Sequence, residues 1–138
     1  MLSQIKQILE SANPEYTVIY EEKHLMNVKV DELPVNARFA YIEEFLKGQY
    51  RQEKYFKTRI MQMQIYFSRF VDMHDDAIVR ESLRDEIDAE IVRPFMKTYN
   101  ESGFFEPVEI WNIYYPFPRW DANEVSVMLE FACKIQIC

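Results

Sequence analysis

Two long stretches of the chain alternate between apolar and polar residues. In residues 124–137 every second residue is apolar. Residues 58–70 follow the same period, and their apolar positions are Met61, Met63, Ile65 and Phe67. Because successive side chains of a strand point to opposite faces of a sheet, a period of two predicts two long strands, each buried on one face.

Two other stretches have the spacing of a helix with one apolar face. The first is residues 2–12, which end before Asn13 and Pro14. The second extends to about Asn100, and acidic residues at positions 72–76 predict capping of its N-terminus. Pro94 lies inside it, so we expect a kink or a break at Arg93. The apolar residues of the second helix recur at every fourth position: Val79, Leu83, Ile87, Ile91 and Phe95.

Three shorter segments, residues 16–20, 38–46 and 106–115, have the aromatic and β-branched composition of strands. Gly48 marks a turn after the second, and the polar residues 49–57 predict an exposed excursion before the next strand. Residues 23–36 predict a connection, in which a short strand at residues 26–30 is an open alternative.

This order of elements predicts an α+β fold. We expect a two-layer sandwich, in which an antiparallel-rich sheet of four to five strands carries the N-terminal helix and one long helix on one face. A chain of 138 residues with 49 % hydrophobic residues can bury one core. We therefore expect a single domain over residues 1–138.

Charge and hydropathy exclude several classes of protein. The net charge is −7, from 16 Lys and Arg against 23 Asp and Glu, whereas nucleic-acid affinity rests on clustered cations. The start of the chain lacks the apolar core of a signal peptide, and no apolar run reaches the length of about 18 residues that a membrane span needs. The sequence thus predicts a soluble, cytosolic protein with no specific nucleic-acid or membrane binding.

Residues suited to catalysis or metal binding are few. His24 lies in a charged segment, and His74 lies among the Asp residues whose position is explained by helix capping rather than by a metal site. Two glycines cannot build a glycine-rich phosphate loop. Cys133 and Cys138 lie in one predicted strand, about 16 Å apart at 3.3 Å per residue, which is too far for a disulfide between them. We expect no enzyme activity, no cofactor and no metal.

Aromatic residues make up 15 % of the chain and concentrate near the ends of predicted elements. One group lies within residues 111–120 and another within residues 50–56. Interfaces between proteins are enriched in aromatic residues, so these groups predict contacts with other subunits, with core packing as the alternative. The predicted contact residues are Tyr50, Tyr55, Phe56, Trp111, Tyr115 and Trp120.

The order of elements over the whole chain resembles the phage tail terminator and head–tail joining proteins. The features that carry the resemblance are the first helix with Ile5, Ile8 and Leu9, the extended residues 38–46 before Gly48, the strand from Thr58, the acid-capped helix from residue 75, and the closing hairpin. The resemblance implies a structural, non-enzymatic subunit that closes into a ring, commonly hexameric, and ends the tail tube.

The same resemblance implies the partners: copies of the chain, the tail-tube protein and the head-connector protein. DNA would pass through the ring without being read, and an acidic lumen suits that passage. The implied location is the host cytoplasm during assembly and then the virion tail.

Two alternatives stay open. In the first, the chain is a small-ligand-binding domain or a hot-dog-like enzyme with an apolar pocket between sheet and helix, lined by Met61, Met63, Phe67 and Phe131. In the second, it is a binding module of the antitoxin or chaperone type.

Overall fold

The computed structural model describes residues 2–19, 37–43, 48–55, 57–70, 77–115 and 124–137. Within them the fold is α+β, as the sequence predicts. The elements are α1 (Leu2–Ala12), β1 (Tyr16–Ile19), β2 (Arg38–Ile42), β3 (Gly48–Gln52), β4 (Lys57–Phe70), α2 (Ala77–Ile87), a π-helical turn (Asp88–Val92), α3 (Arg93–Glu101), β5 (Asn112–Tyr114) and β6 (Glu124–Ile137).

The described strands form one six-stranded sheet in the order β1-β2-β4-β6-β5, and β3 pairs with β4 on the side that also carries β2. The parallel pair is β1 with β2, and the other pairs are antiparallel. The two long strands predicted from the period of two, β4 and β6, are confirmed. They pair along their full length, from Lys57 opposite Ile137 to Phe70 opposite Glu124.

Three of the sequence predictions about strands need correction. The predicted excursion at residues 49–57 is exposed as expected, but Gly48–Gln52 forms the strand β3, whose five exposed residues show no apolar alternation, so the described sheet has six strands instead of the expected four to five. The strand predicted at residues 106–115 is limited to Asn112–Tyr114. β2 ends at Ile42 rather than Leu46. The short strand at residues 26–30 and the acidic cap at residues 72–76 lie outside the described residues.

The main core lies between one face of the sheet and the helices, as expected. At its centre, the ring of Phe95 on α3 packs against Phe67 of β4 and Phe131 of β6, with ring centroids 6.2 and 6.0 Å apart. Tyr99, one turn later, contacts Phe131 edge to face at 5.0 Å. The buried side chains of the described helical segments all belong to this core: Ile5, Ile8, Leu9, Ile87, Ile91, Val92, Phe95, Met96 and Tyr99.

The opposite face of the sheet is buried in part, although its alternating strands predict a wet surface. Phe39, Tyr41 and Tyr66 form a second cluster there, exposed by 5 % or less. The hydroxyl oxygens of Ser68 and Ser126 lie 2.7 Å apart on the same face, so each of these buried polar groups has a hydrogen-bond partner. Because these two hydroxyls satisfy each other, this face of the sheet can be buried although it carries polar residues.

The long helix does not break at Arg93. Its backbone stays in the α region at both ends of the π-helical turn, at Ile87 and at Arg93, so α2, the turn and α3 form one helix. Pro94 has no N–H to offer the carbonyl of Glu90 four residues earlier. That carbonyl accepts a hydrogen bond from Asn13 Nδ2 at 3.2 Å instead. This hydrogen bond attaches the helix to the end of α1.

The carboxylate of Glu90 extends this attachment to the sheet. It lies 3.3 Å from Arg38 Nε of β2 and 3.6 Å from Arg69 of β4, and it accepts a hydrogen bond from the Tyr16 hydroxyl at 3.4 Å. Burial, and secondarily the charge of Glu90, raises the pKa of the Tyr16 hydroxyl. Through this one carboxylate, the long helix is connected to three strands.

We predict that Glu90→Gln destabilises the protein by about 1–2 kcal/mol, because Arg38 and Arg69 lose a charged partner in a partly buried site. The matched control is Glu86→Gln, which removes a carboxylate 2.7 Å from Arg69 whose side chain is 52 % exposed. We expect it to cost less than about 0.5 kcal/mol. Urea unfolding of both variants measures the difference, and equal losses would contradict the central role of Glu90.

We predict that Phe95→Ala lowers the free energy of unfolding by about 3–5 kcal/mol, because it leaves a cavity among three aromatic rings. Phe104→Ala, at a side chain that is 40 % exposed, serves as the control, with an expected loss of about 1 kcal/mol or less. Chemical denaturation followed by circular dichroism measures both. A loss at Phe95 no larger than at Phe104 would show that Phe95 is not the centre of the core.

Candidate functional site

A hairpin made of β3 and the start of β4 carries the first of the two predicted aromatic groups. We call residues 48–55 and 57–60 the β3 arm. Gly48 stands opposite Met61, and an added Cβ would lie 2.6 Å from the Met61 sulfur, so glycine leaves room for the Met61 side chain here. Tyr50 and Tyr55 on the arm are 65 % and 83 % exposed.

Lysines accompany both exposed rings of the β3 arm. The Lys57 ammonium lies 5.4 Å from the centre of the Tyr50 ring, and the Lys54 ammonium lies 5.2 Å from that of Tyr55. At exposed positions such cation–π contacts are worth only about 0.5–1 kcal/mol each, so the two rings stay accessible to a partner. Phe56, the third predicted contact residue of this group, lies outside the described residues.

The second predicted group lies at β5, on the opposite edge of the sheet. Tyr115, directly after β5, is 51 % exposed, and the Arg84 guanidinium of α2 lies 5.6 Å from the centre of its ring. Trp111 is half-buried and packs against the main core, so core packing accounts for part of its role. Trp120 lies outside the described residues. The sheet order separates the two groups by β4 and β6, and the structure does not bring them together.

Several exposed apolar side chains escaped the sequence prediction. Ile110 is 82 % exposed just before β5, and Ile78 is 77 % exposed at the start of α2. Ile78 lies in a segment whose helical spacing predicts a core position, while Ile110 lies in a segment predicted as a strand. Exposure at these positions depends on where an element leaves the core, which local periodicity does not reveal.

A groove opens beside β6 where the chain departs from that strand. The Glu106 N–H donates to the Lys134 carbonyl at 3.0 Å, and pairing with β6 resumes at Asn112, opposite Glu130. Between these two points lies a cavity of about 310 Å³, which we call the β6 groove. It is lined by Pro107, Val108, Glu109, Ile110, Ala132 and Lys134.

The β3 arm and the β6 groove differ in charge. The arm carries four basic residues, Arg51, Lys54, Lys57 and Arg59, against Glu53 alone. Residues 101–110, which flank and line the groove, contain Glu101, Glu106 and Glu109 and no Lys or Arg, although Lys134 contributes one basic group from β6. A chain with a net charge of −7 thus concentrates positive charge at one sheet edge.

The titratable groups with shifted pKa values lie in the interior. Burial raises the pKa of the Cys133 thiol, and burial, more than the neighbouring Cys133, raises the pKa of the Tyr99 hydroxyl. Cys133 is buried, as its apolar neighbours in the strand pattern predict. Among the described residues, no group of three His, Cys, Asp or Glu side chains could hold a metal ion. His24, His74 and Cys138 lie outside the described residues.

No protein-family model matches the sequence, and no curated protein matches it. Among the described helices, none is long and apolar enough to cross a membrane.

The raised pKa of Cys133 predicts that stability falls in alkaline solution. The thiol of the unfolded chain titrates near its ordinary value of about 8.5, below the folded-state pKa, so the unfolded state loses its proton first as the pH rises. Between pH 8.5 and the folded-state pKa, the contribution of the Cys133 thiol to the free energy of unfolding falls by up to about 1.4 kcal/mol per pH unit.

Urea unfolding at pH 7 and at pH 9.5 tests this, with Cys133→Ala as the control. The alanine variant has a lower stability at neutral pH but a smaller decrease between the two pH values. An identical decrease in both proteins would contradict the assignment to Cys133.

Proposed function

We propose that the chain is a structural, non-enzymatic subunit that assembles with copies of itself into a closed ring, in the manner of the phage tail terminator and head–tail joining proteins that it resembles. The observation that carries the proposal is the position of the two exposed aromatic surfaces. Tyr50 and Tyr55 lie at one edge of the sheet, and Tyr115 lies at the opposite edge. Copies that meet through two different surfaces make a heterologous contact, which generates a ring when the rotation between copies closes.

Among the described strands, β3 and β5 each pair on one side only, and this supports association. β3 is fully exposed, and β5 at the other side consists of three exposed residues. Monomeric proteins protect such edges, because their unpaired backbone groups and apolar side chains invite contacts with other chains. Here exposed tyrosines flank both edges, which suits surfaces that are covered after assembly.

The distribution of perturbed groups supports a non-enzymatic role. Active sites place groups with shifted pKa values in clefts that substrates reach. In the described residues, the shifted groups are Tyr16, Tyr99 and Cys133, and all three are buried at 3 % exposure or less. Their shifts are a consequence of core packing.

The small-ligand alternative receives less support from the core. Met61, Met63, Phe67 and Phe131, which that alternative assigns to an apolar pocket, are buried at 7 % exposure or less. The Phe95 ring packs on both Phe67 and Phe131. Aromatic rings therefore fill the space between the long helix and the sheet at the position where the ligand would bind.

The proposed assembly includes the partners that the resemblance implies. The ring would end the tail tube and meet the head connector, forming in the host cytoplasm and remaining in the virion tail. The excess of acidic residues suits a channel through which DNA passes without specific binding, since like charges prevent adhesion.

The test is the oligomeric state of the purified protein, alone and with a phage tail-tube protein, taken from a neighbouring gene where one is found. We expect a discrete, closed oligomer by light scattering coupled to size exclusion, and ring-shaped particles by electron microscopy. A strictly monomeric protein at high concentration, with no ring in the presence of tube protein, would overturn the proposal. Stabilisation by an acyl-CoA or a similar amphiphile would favour the small-ligand alternative instead.

A further inference from the structure

We propose that the β3 arm of one copy docks into the β6 groove of the next copy. This inference rests on the proposed assembly of identical chains and adds which surfaces meet. The arm is a basic, aromatic projection, and the groove is a partly apolar cavity flanked by acidic residues. A second copy of the chain is thus an occupant whose chemistry fits the groove.

The two surfaces lie at the same level of the sheet. Gln49 of β3 pairs with Ile60 of β4, Ile60 pairs with Lys134 of β6, and Lys134 accepts the hydrogen bond from Glu106 at the groove. One rung of the sheet therefore runs from the arm to the groove. Two copies placed side by side bring these edges together with little displacement along the strands. A contact with little rise per subunit favours a closed ring over an open helical filament.

The side chains of the arm face the correct way for this contact. Arg51 pairs with Thr58, and Thr58 pairs with Gln136, so Arg51 lies on the sheet face that also carries Ala132 and Lys134 of the groove. Arg51 and Lys54 of one copy would meet Glu106 and Glu109 of the next. Opposite charges arranged in this way set the register of the contact and raise its rate of formation.

An aromatic side chain of the arm suits the cavity. Tyr55 is 83 % exposed at the turn of the arm, and Ile110 is 82 % exposed at the wall of the groove. The cavity volume of about 310 Å³ is sufficient for a tyrosine ring. A tyrosine that becomes buried beside an aliphatic side chain, surrounded by charged pairs, is the usual composition of an interface hot spot.

Paired charge reversals test the docking. The arm variant is Arg51→Glu with Lys54→Glu, and the groove variant is Glu106→Lys with Glu109→Lys. In each variant the arm and the groove carry charge of the same sign, so the arm of one copy is repelled by the groove of the next. We therefore expect each variant alone to assemble at least about tenfold more weakly than the unaltered chain. All four positions are exposed, so neither variant should change the thermal midpoint much.

Mixing the two variants provides the decisive measurement. The acidic arm of one variant fits the basic groove of the other, and the basic arm of the second fits the acidic groove of the first. We therefore expect the equimolar mixture to recover assembly, with equal numbers of the two variants in each particle by native mass spectrometry. Lys6→Glu with Lys97→Glu, an equal change of charge on α1 and α3, is the control and should assemble like the unaltered chain.

The outcomes separate this inference from the proposed function. Unimpaired assembly of both variants would overturn the docking and leave the ring in place. A monomeric unaltered chain would overturn the ring itself. In a third possible result, the unaltered chain binds labelled single-stranded DNA and the arm variant does not, while both variants assemble normally. This result would assign the arm to nucleic-acid binding and overturn the docking.

Discussion

The pairing of β4 with β6 is the constraint on which the rest of the fold depends. The two strands match over 14 residues each, a length of about 46 Å at 3.3 Å per residue. One part of this ladder supports the long helix and the main core. The other part supports β3, whose five side chains are all exposed. A single pair of strands thus provides both the core and the projecting edge.

The sequence predicts those elements in which buried and exposed residues alternate with the period of a strand or a helix. β4, β6 and α1 follow directly from apolar spacing, because each presents one face to a core. β3 was missed for the same physical reason: all five of its residues are exposed, so nothing in its polar composition distinguishes a strand from a loop. Its pairing with β4 is a tertiary property.

The candidate surfaces, too, are predictable from the sequence only in part. Tyr50, Tyr55 and Tyr115 are exposed, as the interface interpretation of the aromatic groups expects, whereas Trp111 of the same group packs partly against the main core. Their separation to opposite edges depends on strand order, which local sequence does not determine. The β6 groove depends on the departure of the chain from β6 between Glu106 and Asn112, and the composition of residues 106–115 is that of a continuous strand.

The π-helical turn explains how an apolar residue at every fourth position can serve one core. On a regular α-helix, a spacing of four residues rotates by about 40° per step. Val79 is 41 % exposed and Leu83 is half-buried, as this rotation requires upstream of the turn. The turn at Asp88–Val92 takes up about one more residue than an α-helical turn. Ile87, Ile91 and Phe95 therefore all remain fully buried across it.

The long β4–β6 ladder joins parts of the chain that lie far apart in the sequence. Ser68 and Ser126, neighbours on this ladder, are 58 residues apart in the chain. The β3–β4 hairpin involves only local contacts, whereas β6 must close a loop of this size before it pairs with β4, and such non-local pairing slows folding. Until β6 arrives, β4 has one unpaired edge and an apolar face in solvent. When many chains are made at once, β4 of one nascent chain can therefore pair with β6 of another before its own β6 is available.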